Sequence, residues 1–381
     1  MSSNLAQLTT AVADLQPWLL QNLRTLVEIE SPSEDPAAVN RAATFVESLA
    51  QPLSPTITRH PQTTHGDVLE LRFPATLPSR NKPVLLLGHL DTVWPLCTLA
   101  QMPWREEDGR IHGPGVLDMK AGVLMALTAI RALQQLNHLT RPVILLLNPD
   151  EEIGSTVSRP ITETLAKECD AVFVLEPAQG LAYKTARKGV GNYKLTVKGI
   201  ASHSGVDFDA GHSAILELMR LLAKVEQFTD RARGLTVNPG VIAGGTRSNV
   251  IAAEAWAEID VRIARDSDAP HIDALFQSLT CTDQACTLEI TGGVNRPPME
   301  RKPGTIALFE QAKKIAAEMG FTLEEAATGG GSDGNFTAAL NIPTLDGMGA
   351  IGAGAHALHE SILTEHLLAR TTLLAALIAN L

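Results

Sequence analysis

The chain has 381 residues, 45% hydrophobic and 19% charged, an ordinary globular composition with room for two or three domains at about 150 residues each. Its net charge of −11 argues against nucleic acid and anionic membrane as partners, because both need basic surface. No apolar run approaches the roughly 20 residues that a membrane span requires. The N-terminal segment lacks the basic start and continuous apolar core of a signal peptide. It reads as an amphipathic helix with Leu5, Leu8, Val12, Leu15, Leu19 and Leu23 on one stripe, bent at Pro17. Short aliphatic strands are expected at 84–88, 143–147 and 171–175, with helices between them such as 121–133. Strands and helices in alternation predict a mostly parallel sheet covered on both faces.

From Lys188 the pattern changes. YKLTVKGI alternates, GHSAILELMRLLAKV is helical, and IAAEAWAEIDVRI alternates with Ala255, Ala257, Ile259 and Val261 on one face. HIDALFQSL is a second helix and CTLEITG a last strand. This β-α-β-β-α-β order predicts a small α+β unit over 188–293, inserted into an α/β domain formed by 1–187 and 294–381. The returning segment is read as a helix, a strand over 341–348 and a C-terminal helix. Cys97, Cys169, Cys281 and Cys286 form no CxxC and no disulfide framework, so a reducing cytoplasm is expected.

Each expected strand of the first domain ends in residues that can bind a metal. His89 and Asp91 follow the first strand and, being two apart, point the same way. His89 is the natural ligand, with Asp91 accepting the other ring N–H. Asp118 follows Gly113-Pro114-Gly115 and opens an apolar helix. A carboxylate there can serve as a helix cap or can bridge two cations about 3.5–4 Å apart. Glu151 and Glu152 leave the second strand in different directions, so one can bind metal while the other stands over a water. Asp150 adds a third negative charge that calls for a nearby cation. Glu176 and His356 complete a set of His, Asp and Glu without Cys, which suits a pair of zinc-like ions rather than a structural zinc. Taken singly, the His89/Asp91 pair reads more readily as a surface histidine with a turn-capping acid, Glu151 and Glu152 as solvated loop acids, and neither Glu176 nor His356 signifies anything alone.

Taken in order and spacing, HLD, GPGVLDMKAG, NPDEEIGS, LEP and GAHALHE resemble the M20 metallopeptidase family, nearest to glutamate carboxypeptidases and related deacylases. The resemblance implies a zinc-peptidase-type domain with an inserted dimerisation domain, and two Zn²⁺ per subunit, with Co²⁺ or Mn²⁺ as substitutes. By position, it makes Asp118 the bridge, gives His89 and Glu176 to one ion and Glu152 and His356 to the other, and leaves Glu151 as general base. In KGIASHSGVDFDAGHSAI it makes His203 the oxyanion donor, reaching the active site of the partner subunit in a homodimer. It sets Asn249 near the substrate. Arg262, Arg296 and the glycine turn around Gly330 are candidates to hold a substrate carboxylate, although Arg262 is equally readable as half of a strand-face salt bridge. The implied activity is removal of a C-terminal, glutamate-like amino acid from a small peptide or N-acyl amino acid by metal-activated water. The alternatives are an N-acyl amino acid deacylase resembling acetylornithine deacetylases, and a non-catalytic metal-binding protein. One departure, SHSG where AHAG-type sequences are commoner, keeps the His.

Overall fold

A computed structural model describes residues 3–79 and 81–381, which divide into two compact units. The first comprises the described residues of 3–186 with 301–327 and 332–381, and the second 187–300 together with 328–331.

The first unit is built on a six-stranded sheet. Thr56–His60, Val68–Phe73 and Val143–Asn148 are joined antiparallel. Val143–Asn148 then pairs parallel with Val84–His89, which pairs parallel with Ala171–Val174, and Thr344–Leu345 closes the edge. The three central strands are buried along their whole length, as expected of aliphatic runs covered by helices on both faces. Helix Ala121–Gln135 is the apolar centre of this unit. Twelve of its 15 residues are buried, among them Leu124, Leu127 and Ile130.

The N-terminal stripe folds as two helices, Ser3–Asp14 and Gln16–Glu28, with Leu15 at the junction and Pro17 in the first turn of the second. All six stripe residues are buried. Proline removes a backbone donor but is tolerated at a helix start, so the bend becomes a break. The expected strand over 341–348 is reduced to Thr344–Leu345. Left-handed backbone at Asn341 (φ 61°) and Gly347 (φ 70°) turns the chain at both ends of that short strand.

The second unit is a β-α-β-β-α-β fold. Gly189–Lys198, Thr236–Gly244, Glu254–Ile263 and Thr287–Arg296 form one antiparallel sheet, with Glu254–Ile263 paired to Thr236–Gly244 on one side and Gly189–Lys198 on the other. Ala255, Ala257, Ile259, Val261 and Ile263 are buried, the alternation of a sheet covered on one face. Helices Ala214–Glu226 and Ala269–Gln277 supply the cover, with the Phe276 ring stacked on Tyr193 at 3.9 Å between centroids.

Candidate metal centre and active site

The polar residues gather where the parallel strands of the first unit run out. Main-chain bonds continue the ladder past the strand ends, Leu90 N to Asn148 O and Leu175 N to Leu87 O, each at 2.9 Å. His89, Asp91, Glu151, Glu152 and Glu176 thus leave neighbouring strands at one edge, the carboxyl edge that open α/β sheets use for ligands. Asp118 comes from the turn before helix Ala121–Gln135, with the non-helical backbone φ −113°, ψ 93°. Gly115 permits that turn, since its φ is +70° and a Cβ there would fall 2.7 Å from Thr92 Cγ2. Gly122 permits the helix to approach, because a Cβ would stand 2.1 Å from Leu175 O.

Asp118 lies at the centre of the cluster. Its Oδ1 is 3.2 Å from His89 Nε2, which is also 3.6 Å from Glu176 Oε1. Its Oδ2 is 3.4 Å from His356 Nε2, which is 3.2 Å from Glu152 Oε2. One carboxylate therefore faces two sets of donors, one with each oxygen. The donor atoms of His89, Asp118 and Glu152 lie within 4.8 Å of one another, as do those of His89, Glu151 and Glu176.

Four carboxylates against two imidazoles leave an excess of negative charge. Hydrogen bonds to Asp118 and Glu152 push the pKa of His356 up to about 10. Burial alone would lower that of His89, but bonds to Asp118, Asp91 and Glu176 outweigh it and hold the ring well above the ordinary histidine range. For Asp118 burial is likewise outweighed, and the two rings hold it far below the usual carboxylate range. Glu152 goes the other way, raised by burial. Its side chain is 7% exposed, and its Oε1 is buried without a hydrogen-bond partner among the described residues. An orphaned acidic oxygen inside a ring of His and carboxylate donors fits a divalent cation, which would supply the missing partner.

Around the cluster, the structure adds contacts that residue spacing does not reveal. His89 Nδ1 is 2.9 Å from the main-chain oxygen of Asp91 and 3.4 Å from its carboxylate, so the nearest acceptor for the second ring N–H is backbone. The Asp91 carboxylate instead accepts from the Glu151 and Glu152 amides, each at 3.1 Å, and from the Ser33 hydroxyl at 2.7 Å. It anchors the very turn that carries the two glutamates. Asp333 braces the far side of that turn, accepting from Asn148 Nδ2 at 2.6 Å and from the Ser155 hydroxyl. Glu360, four residues beyond His356, accepts from the amides of Gly115, Leu117 and Asp118. None of Ser33, Asp333 and Glu360 stood out in the sequence.

The remaining candidates belong to the second unit. His203 and Asn249 are brought together and both are exposed: Ser204 N donates to Asn249 O at 3.1 Å, and His203 bridges Val250. Gly205 N donates to His203 Nδ1 at 3.1 Å, which assigns the proton of a neutral ring to Nε2 and makes that atom a donor. Arg262 sits across Asp260, two residues back on the same strand face, with contacts of 2.8–3.1 Å, so the salt-bridge alternative describes it. The glycine turn presents its carbonyls inward: Gly329 O accepts from Arg262 at 3.4 Å, and Gly330 O and Gly331 O accept from Arg187 at 3.3 and 3.0 Å. Arg296 is buried, and its Cδ would meet a Cβ on Gly331 at 3.0 Å. Arg187, buried beside the same turn, was not singled out by its sequence context. His212 is paired to Asp283 at 2.8 Å and is no ligand.

Comparison with known proteins then decides the family. The model for peptidase family M20/M25/M40 matches residues 85–380. The chain belongs to that family. It is 31% identical over 358 residues to carboxypeptidase G2 of Pseudomonas sp. (strain RS-16), covering 91% of this chain and 85% of that one. Among solved structures it shares the fold of aminopeptidase PepT from Bacillus cereus, with a TM-score of 0.80 at 23% identity over 95% of this chain and 97% of that one. The M20 metallo-carboxypeptidase Sso-CP2 from Sulfolobus solfataricus matches with a TM-score of 0.77 at 17% identity, over 95% and 98%. As an M20 peptidase, the chain is a metal-dependent exopeptidase or amidohydrolase. No helix among the described residues is long and apolar enough to cross a membrane.

Proposed function

We propose that this M20 enzyme holds two cations and removes the C-terminal amino acid from a short peptide or N-acyl amino acid. His89 and Glu176 serve one cation, Glu152 and His356 the other, and Asp118 both. The observation that carries this reading is the division of the two Asp118 oxygens between two His-plus-Glu sets. Zinc suits the donors, with Co²⁺ or Mn²⁺ as substitutes. Bound there, the cations would supply Lewis acidity toward the scissile carbonyl and an ionised water near neutral pH.

Glu151 takes the proton of the attacking water and passes it to the leaving nitrogen. Asp91 holds Glu151 and Glu152 in register through their amides. His203 donates from Nε2 to the oxyanion of the tetrahedral intermediate. In this reading it serves the site of a second copy, with a homodimer as the working form, as the family resemblance implies. Asn249 lies beside it, and Arg296, buried at the Gly331 turn, is the candidate clamp for a substrate carboxylate. Val93, Ile153 and Leu358 are exposed one or two residues from Asp91, Glu152 and His356. Apolar surface so near these residues in the chain suits a nonpolar acyl or N-terminal portion of the substrate. The four cysteines, all free, suit the reducing cytoplasm.

The test is a panel of dipeptides and N-acyl glutamates with free or amidated C-termini, run with and without chelator. A charge-assisted bond to the carboxylate is worth about 1.5–3 kcal/mol, so free acids should exceed amides by roughly tenfold to a hundredfold in kcat/KM. Activity should vanish with chelator and return with Zn²⁺. Equal turnover of acids and amides would overturn the carboxypeptidase direction in favour of a deacylase or aminopeptidase, and chelator-resistant turnover would overturn the cation site.

A further inference from the structure

The Glu360 carboxylate is fully buried and makes four hydrogen bonds, two on each oxygen. Leu117 N and Asp118 N donate to Oε1 at 2.8 and 3.1 Å. Gly115 N and Trp94 Nε1 donate to Oε2 at 2.9 and 2.8 Å. Three of the donors are backbone groups of one short turn, 115–118. That turn has non-helical backbone at Asp118 and Met119, so no regular helical ladder serves its amides. The fourth donor lies three residues beyond Asp91. Glu360 itself follows His356 by four residues, and its own amide donates to Ala357 O at 2.8 Å, closing the loop that carries His356. A single carboxylate therefore binds together the segments bearing Asp91, Asp118 and His356, which lie up to 265 residues apart in the chain. Its charge adds to an already acidic neighbourhood, and the four donors are what make that tolerable.

We propose that Glu360 is a positioning residue for the bridging carboxylate: it fixes the backbone of Asp118 so that both carboxylate oxygens face their histidines before any cation arrives. This rests on the reading above, in which Asp118 is shared by two cations. An outer residue of this kind typically alters metal affinity by about 10–100-fold when removed.

Two substitutions separate positioning from simple packing. Glu360→Gln keeps the shape but places an NH₂ group against N–H donors, so half of the clamp is lost whichever way the amide turns. Trp94→Phe removes one donor to the same carboxylate and leaves the Asp118 turn fully bonded. Co²⁺ affinity is read by chelator competition and the site geometry by the visible spectrum of the Co²⁺-loaded protein, with thermal unfolding of the metal-free form recorded beside them. Glu360→Gln should bind Co²⁺ at least roughly tenfold more weakly with a changed spectrum, and Trp94→Phe should stay within about threefold of wild type. Wild-type affinity and spectrum in Glu360→Gln would overturn the proposal, as would an equal loss in Trp94→Phe. If Glu360→Gln does not fold, Glu360→Asp takes its place: the charge remains but falls one methylene short, and an unchanged Co²⁺ spectrum would be equally fatal. A wild type that takes up no Co²⁺ defeats the cation reading and this proposal with it. A wild type that binds normally beside an unchanged variant defeats this proposal alone.

Discussion

Glu152 in the first unit and Glu217 in the second are both buried acids, in opposite circumstances. Glu217 accepts from the amides of Thr282 and Asp283, at 2.5 and 3.3 Å, and from Arg220 at 2.7 Å. Burial tends to raise its pKa, but those donors outweigh it and the carboxyl titrates below its ordinary value. Glu152 is raised by burial and keeps an oxygen with no partner among the described residues. The chain has thus supplied donors to both oxygens of Glu217 but to only one oxygen of Glu152. A carboxylate satisfied by backbone is a strut, whereas one left wanting in the company of histidines is a place for something from outside.

The largest effect that would test this contrast falls on Glu151. Glu151→Gln should lower kcat by about 10²–10⁴, the range for a lost general base, while both cations stay bound. Elemental analysis checks the second half. A variant that loses about half its metal would mean that Glu151, and not Glu152, is the ligand.

Next come the arginines of the second unit, one buried at the glycine turn and one partly exposed on a strand face. Arg296→Ala should cost roughly tenfold to a hundredfold in kcat/KM toward free-acid substrates, with little effect on amidated ones. Arg262→Ala, which removes a partly exposed ion pair with Asp260, should change kcat/KM by less than about threefold. The reverse order would move the carboxylate clamp to Arg262.

The smallest expected effect is on stability. Glu217→Ala leaves two backbone donors unmet and should destabilise the second unit by about 1–3 kcal/mol at neutral pH. Because the folded pKa of Glu217 is depressed, its contribution is present above the unfolded value of 4.5 and fades as the pH falls through the lower folded value. Denaturant midpoints of wild type and variant should converge in acid. A gap that persists undiminished at the lowest pH would show that packing, not charge, holds this anchor.

The frame was legible in the sequence where a physical pattern repeats. Long aliphatic runs ending in His, Asp or Glu read as buried strands because nothing else buries such runs so economically. The second unit declared itself through period-two alternation in YKLTVKGI and AEAWAEIDVRI. Glu360 was hidden because its three amide donors lie about 240 residues away and an acid in a loop carries no periodic signal. Arg262 was half visible: Asp260 and Arg262 are two apart on a strand, so they share a face. The role of the Asp91 carboxylate depended on where the turn after Asn148 would travel, which spacing alone does not encode.

The contact between Gly122 and the Leu175 carbonyl has a consequence for how this chain can vary. A ligand can be exchanged for another donor, and a core leucine can be traded for methionine with some repacking. At Gly122 the partners are main chain on main chain, and no rotamer change makes room for even one methyl group. Natural drift and deliberate redesign would both meet a hard restriction here, at a residue with no charge, no hydrogen-bonding side chain and no part in the chemistry.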